Sequence, residues 1–305
     1  MEQIYTLNKF YNEYFGHKVY KLSLDAGMTC PNRDGTLDTR GCIFCSAGGS
    51  GDFAASHLLS IPEQIAEAKQ RINSKIRHGK YIAYFQAYTN TYANLDYLKK
   101  VYYEAIACDD IVGLSIATRP DCVDDNILDL LSELNKTIPV FVELGLQTIH
   151  EATAQFIRRG YSLDVFQNTV ARLSCADINI VVHLILGLPY ETKDDMLASV
   201  NYLNMLPVNG VKLQLLHVLK NTDLAELYRD GIFDTLSLEE YTCILAECIE
   251  LLRPDIVIHR MTGDGKKSEL ISPLWSGNKK MVLNYINKYF REHNIVQGRR
   301  YMCGS

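Results

Sequence analysis

Short runs of β-branched and aromatic residues alternate with longer segments of helical period along most of this chain. The runs are VYKLSL (19–24), YIAYFQ (81–86), IVGLSIA (111–117), PVFVELGL (139–146), INIVVHLILG (178–187) and VKLQLLHV (211–218). They read as strands, and the intervening periodicity predicts helices over 62–78, 95–107, 124–135, 164–176 and 193–205. Ser60 stands as an N-cap for the first of these, with Pro62 in its first turn. Strand–helix alternation at this spacing predicts right-handed βαβ units and a parallel sheet. Several runs are almost continuously apolar, as expected of parallel strands covered by helices. Periodicity alone leaves an incomplete barrel and a doubly wound sheet both open. Either one places chemistry just beyond the C-terminal ends of the strands.

Polar residues gather in those places. Asp25 and a cysteine-bearing loop follow the first run, QAYTNT (86–91) the second and TRPD (118–121) the third. The fourth carries Glu143 and Gln147, the fifth His183 and then GLPYE (187–191), the sixth Gln214 and His217. A polar group at every strand end predicts one site assembled at one rim. Glu143, set in VFVELGL, carries the strongest signal, because an unpaired carboxylate among apolar residues is costly.

With 305 residues, 47% of them hydrophobic, the chain has ample material for a core. The N-terminus has no apolar signal-like region and no run reaches membrane-spanning length, which predicts a cytoplasmic protein without membrane attachment. Net charge is −5, so bulk charge announces no nucleic-acid partner. The charge is unevenly distributed: residues 260–305 carry a net +6, against −11 for residues 1–259. Lys266, Lys267, Lys279, Lys280, Arg299 and Arg300 are the candidate polyanion contacts in that tail, the alternative being a solvated basic face.

Three of the nine cysteines cluster in CPNRDGTLDTRGCIFC, spaced C-x11-C-x2-C: Cys30, Cys42 and Cys45. A structural zinc site takes four ligands, and a disulfide framework takes even numbers in a small secreted chain. Three thiolates suit an iron–sulfur cluster that leaves one iron open to another ligand. A zinc site completed by a distant residue such as His57, or a set of plain thiols, are the alternatives. Cys108, Cys122, Cys175, Cys243 and Cys248 read as small core residues, and Cys303 as a residue near the terminus.

The triad, followed by this strand series and with Phe44 just before its last cysteine, resembles the radical S-adenosylmethionine (SAM) superfamily. The long x11 gap departs from the superfamily's common spacing. It is similar to the Elongator catalytic subunit and, more closely, to the YhcC/YtqA family. CPNRDGT…GCIFC, FQAYTNT, ATRPD, VELGLQT, HLILGLPYET and MTGDGKK all look like that family, over residues 3 to 301. The resemblance implies an α/β fold, a partial (β/α)6 TIM-type barrel over 19–230 with its cluster loop at 25–51. An N-terminal extension (1–18) and a helical, basic C-terminal extension (231–305) would flank it.

It further implies that Cys30, Cys42 and Cys45 hold three irons of a 4Fe–4S cluster whose fourth iron chelates SAM. Gln86 and Tyr88 stand where relatives have a Gly-Gly-Glu motif, absent here, that holds the SAM amine. Thr118, Arg119, Glu143, Gln147 and His183 would line the cofactor site, Glu143 and Gln147 towards the ribose or the methionine end. Arg159 would approach the SAM carboxylate. Leu188 would pass near the adenine, and Leu216, His217 and Val218 would flank it. For His183 and His217 a hydrogen-bonded core role stands beside this one, and for Arg119 an ordinary rim ion pair. The implied activity is reductive SAM cleavage to a 5′-deoxyadenosyl radical that abstracts hydrogen from substrate, served by a flavodoxin- or ferredoxin-type electron donor. The implied substrate is tRNA, at a wobble uridine or its side chain. The alternatives are the same chemistry on a small metabolite or peptide, and a non-catalytic zinc-binding protein.

Overall fold

In this computed structural model the described residues are 3–49, 51, 54–73, 79–263 and 265–302. Cys303, and the expected helical residues 74–78, lie outside them. The chain opens with α1 (Leu7–Phe15), β1 (Val19–Leu24), the cysteine loop and α2 (Ile61–Asn73). It continues through β2 (Lys80–Phe85), α3 (Leu95–Ile106), β3 (Ile111–Thr118), α4 (Asp125–Asn135) and β4 (Val140–Gln147). Then come α5 (Glu151–Phe156), α6 (Leu163–Cys175), β5 (Asn179–Leu186), α7 (Lys193–Leu203), β6 (Gly210–Leu215) and β7 (Val218–Leu219). The remainder is α8 (Asp223–Arg229), α9 (Leu238–Leu251), β8 (Val257–Arg260), β9 (Leu270–Ser272) and α10 (Lys279–Glu292).

Local chemistry sets these boundaries. Asn94 and Asp124 cap α3 and α4, and full capping boxes open α7 (Thr192 with Asp195) and α9 (Ser237 with Glu240). At α2 the Glu63 carboxylate accepts from the Ser60 backbone N–H and hydroxyl, so Ser60 does mark that helix start.

All seven strands of the main sheet run parallel, in the order β1-β2-β3-β4-β5-β6-β8. Side-chain contacts show how strongly it curls. Lys212 of β6 reaches the Tyr84 hydroxyl of β2 at 3.0 Å. Four strand spacings on a flat sheet would put those strands roughly 19 Å apart. The expected partial barrel is therefore present, and it has a seventh strand. VIHR gave no strand signal because it is four residues long and half polar. The sixth run also differs from expectation. The chain leaves the barrel at Leu216, and Val218–Leu219 pairs antiparallel with β9 instead.

The two faces of the strands go to different places. Leu22, Ala83, Leu114, Val142, Leu144 and Leu213 face outward into the main core beneath the helices. Inside the barrel, Val19, Ile82 and Phe141 form an apolar floor, closed from below by Tyr11 of α1. Phe10 and Tyr11 meet Phe141 edge-on at centroid distances of 6.1 and 6.4 Å. The next inward positions up the strands are polar.

Phe141 is 1% exposed, and its loss would leave a void that α1 cannot fill. Phe141→Ala is expected to lower unfolding free energy by about 3–5 kcal/mol in urea titrations.

Candidate functional site

Glu143 sits at the centre of the polar layer, with no exposed side-chain surface. One of its oxygens takes the Lys21 ammonium of β1 and the Ser115 hydroxyl of β3 (2.7 Å). The other takes the Lys212 ammonium of β6 and His183 Nε2 of β5 (2.8 Å). The carboxylate expected to face a ribose or methionine is thus gripped by four strands. Its pKa is lowered well below the usual carboxylate range: burial opposes ionisation, and the two ammonium groups and His183 outweigh it. Burial, with Lys212 next to it, pushes His183 down to about 4. Burial pushes Lys212 down to about 7 in spite of Glu143. Tyr84 is raised, chiefly by burial.

Above this layer a cavity of about 240 Å³ opens at the C-terminal rim. Cys30, Cys42 and Cys45 line it, together with Gln86, Tyr88, Thr118, Arg119, Glu143, Gln147, Arg159, His183, Leu216 and His217. Arg33, Tyr84, Tyr161, Lys212, Gln214, Arg260 and Gly263 line it as well. Leu188 and Val218 do not. They pack behind the wall with Ile43, Ile157 and Leu224.

Several residues at this rim have their polar groups already engaged. The Arg159 guanidinium donates to the carbonyls of Leu146, Thr148 and Tyr161 and to Glu151 (3.0 Å), at 2% exposure. Arg119 forks onto Asp121 at 2.9 and 2.7 Å and donates to the Arg159 carbonyl, so the rim ion pair is real. In QAYTNT, Asn90 is tied through its backbone and side-chain N–H groups to the Ala117 carbonyl, and Thr91 meets Thr118 at 2.6 Å. Gln86 accepts from the Ser23 hydroxyl, and the Tyr88 hydroxyl donates to the Ala47 carbonyl. Gln147 holds φ at +64°, at the irregularity ending β4, where a side chain at residue 145 would collide with it at 2.6 Å. Of MTGDGKK, Gly263 lines the cavity, and Gly263 and Gly265 lie against His217.

Of the other described cysteines, only Cys248 is buried as expected. Cys108, Cys122 and Cys243 are half-buried and Cys175 is exposed. His57 lines a separate depression with Tyr88 and Lys266. Among the described residues, no three His, Cys, Asp or Glu side chains converge tightly enough for a single metal ion. Cys30, Cys42 and Cys45 share one cavity, and three thiolates are a donor set that suits an iron–sulfur cluster. Burial, and then negative charge at Cys45, pushes the Cys42 thiol up to about 12. Such an arrangement is relieved by metal-bound thiolates.

Sequence reasoning missed Lys21 and Lys212. In VYKLSL and VKLQLL each reads as the polar member of an alternating strand, facing water. The available signal was parity: both share the inward face with the Glu143 position.

A family model for the Radical SAM superfamily matches residues 39–203, and one for the Radical_SAM C-terminal domain matches 208–292. The first begins after Cys30, as the long x11 gap would lead one to expect. YtqA of Bacillus subtilis (strain 168) is 43% identical over 298 residues, covering 98% of this chain and 92% of that protein. YhcC of Escherichia coli (strain K12) is 37% identical over 282 residues, covering 92% and 90%. A tRNA uridine(34) acetyltransferase of Methanocaldococcus jannaschii is 24% identical over 188 residues, covering 60% and 34%. Among solved structures, Elp3 of Methanocaldococcus infernus superposes with a TM-score of 0.67 at 16% identity, covering 92% of this chain and 64% of that one.

The Glu143 layer makes stability depend on pH in a defined direction. The depressed Glu143 carboxyl contributes stability above its ordinary value of about 4.5, lost as pH falls below it. His183 and Lys212 bind fewer protons folded than unfolded, so unfolding free energy should rise between about 4 and 6.5 and again between about 7 and 10.5. Lys212→Met is expected to flatten the second rise in urea titrations at successive pH values. Glu143→Gln, which leaves two ammonium groups facing no carboxylate, should cost about 3–5 kcal/mol at pH 7.

Proposed function

Because the chain belongs to the Radical SAM superfamily, whose cofactors are a 4Fe–4S cluster and SAM, we propose that it uses this cavity to modify tRNA by hydrogen abstraction. The observation that carries this reading is the convergence of Cys30, Cys42 and Cys45 on one cavity above the buried Glu143 layer. Cys30, Cys42 and Cys45 would hold three irons, leaving the fourth for SAM. When bound, the pair supplies a 5′-deoxyadenosyl radical after one-electron reduction by a flavodoxin- or ferredoxin-type donor. The chain's own part is to orient and to exclude water. Gln86, Thr118 and Gln147 would line the part of the rim where SAM lies, and Leu216 and His217 would wall it.

The RNA part rests on two supports. One is the likeness to the tRNA uridine(34) acetyltransferase of M. jannaschii. The other is the placement of Lys279 and Lys280 in the first turn of α10, which has no acidic residue. With the other basic residues of 260–305 they give that segment its net +6, the charge a polyanion would meet. The small-molecule reading is favoured by the size of the cavity and by the pairing of Arg299 and Arg300 with Glu250 and Glu247 at 3.2 and 3.1 Å.

Anaerobically reconstituted protein should contain iron and sulfide and, with dithionite, convert SAM to 5′-deoxyadenosine. Alanine at any of the three cysteines should abolish both. Binding of tRNA should weaken steeply between 50 and 200 mM salt, and reversing Lys279 and Lys280 to Glu should lower the log–log salt slope by about one to two. An unchanged slope would move the weight to the small-molecule reading. Comparing modified nucleosides in total tRNA with and without the gene would then name the product.

A further inference from the structure

We propose that Arg33 is a positioning residue that makes the iron–sulfur cluster easier to reduce, an inference that rests on the cluster assignment above. Arg33 belongs to the cysteine loop and lines the thiol cavity. Its Nη2 donates to the Cys45 and Ser46 carbonyls, both at 2.8 Å, which fixes the guanidinium against the last cysteine.

Its seat is specific. Gly41, the residue before Cys42, holds φ at +77°, and a Cβ there would lie 2.9 Å from Arg33 Nε. The Tyr88 ring lies 5.8 Å from the guanidinium carbon on another side. Arg119, another of the arginines lining the cavity, makes a contrast. Arg119 is neutralised by its fork onto Asp121, whereas among the described residues Arg33 is held by the Cys45 and Ser46 carbonyls and pairs with no carboxylate.

A 4Fe–4S core held by three thiolates is already anionic, and reduction adds one electron from a low-potential one-electron donor, which is oxidised in turn. No bond need change in that step. A fixed cation beside the thiolates stabilises the more negative form, so it raises the reduction potential. Asn32, 2% exposed, assists from the Cys42 side, with Nδ2 at 3.5 Å from Sγ and held in place by the Arg158 carbonyl at 2.7 Å.

The test is a redox titration of the reconstituted full-length protein, followed by EPR, with iron and sulfide content as the loading control. Arg33→Gln should shift the reduced-to-oxidised ratio at fixed potential about tenfold towards oxidised, a change of about −59 mV for one electron. Arg33→Lys, which keeps the charge, should restore most of it. Gly41→Ala keeps every charge but dislodges Arg33, and should give a smaller shift of the same sign. Should Arg33→Gln fail to load, Gly41→Ala and Arg33→Lys carry the test. A loaded Arg33→Gln or Gly41→Ala protein with the wild-type potential would overturn the proposal alone. Wild-type protein that assembles no 4Fe–4S cluster would overturn the functional reading itself.

Discussion

The Glu143 carboxylate is the constraint around which the barrel interior is arranged. It lies on β4, and its partners come from β1, β3, β5 and β6. A charge taken fully out of water is tolerated only when every lone pair has a donor, and here four donors meet two oxygens. The same contacts require the sheet to curl, because Lys21 and Lys212 reach one point from strands that a flat sheet would hold far apart. Curvature, interior polarity and the position of the cavity above are therefore consequences of one arrangement. It also divides the interior: apolar packing against α1 below, the reactive rim above.

Much of this was legible in the sequence. Six of the seven parallel strands coincide with apolar runs, and polar residues at several of their ends, among them Gln86, Thr118, Gln147, His183 and His217, line one cavity, whereas Asp25 faces a separate depression. The cysteine triad needed no structure to be noticed, because three thiols in sixteen residues have few explanations. Glu143 was visible as a carboxylate where the local pattern wanted an apolar residue.

What was not legible shared one cause: parity inside a curled sheet. Lys21 and Lys212 have the pattern of solvent-facing residues, and only the closing of the sheet turns their face inward. Leu188 and Val218 failed in the opposite way. Proximity along the chain to the rim suggested contact with the cavity, whereas their apolar side chains found better burial behind the wall. Strand β8 could not be read from four residues, two of them polar, since its place depends on the free edge of β6. The basic tail was legible as composition but not as geometry, because Glu247 and Glu250 on α9 answer Arg300 and Arg299.

The edge formed by β8 has its own partner. Thr6 bridges Ile258 in parallel, the Ile258 N–H donates to the Tyr5 carbonyl, and the Tyr5 N–H donates to the Gln297 side chain at 2.8 Å. Segments 292 residues apart thus clasp each other. On the ribosome, β1 to β6 emerge long before either half of that clasp can form. During synthesis the growing sheet presents an unpaired edge at β6, open to other chains, until β8 and Gln297 arrive. Slow, long-range closure of this kind makes the molecule vulnerable chiefly while it is being made.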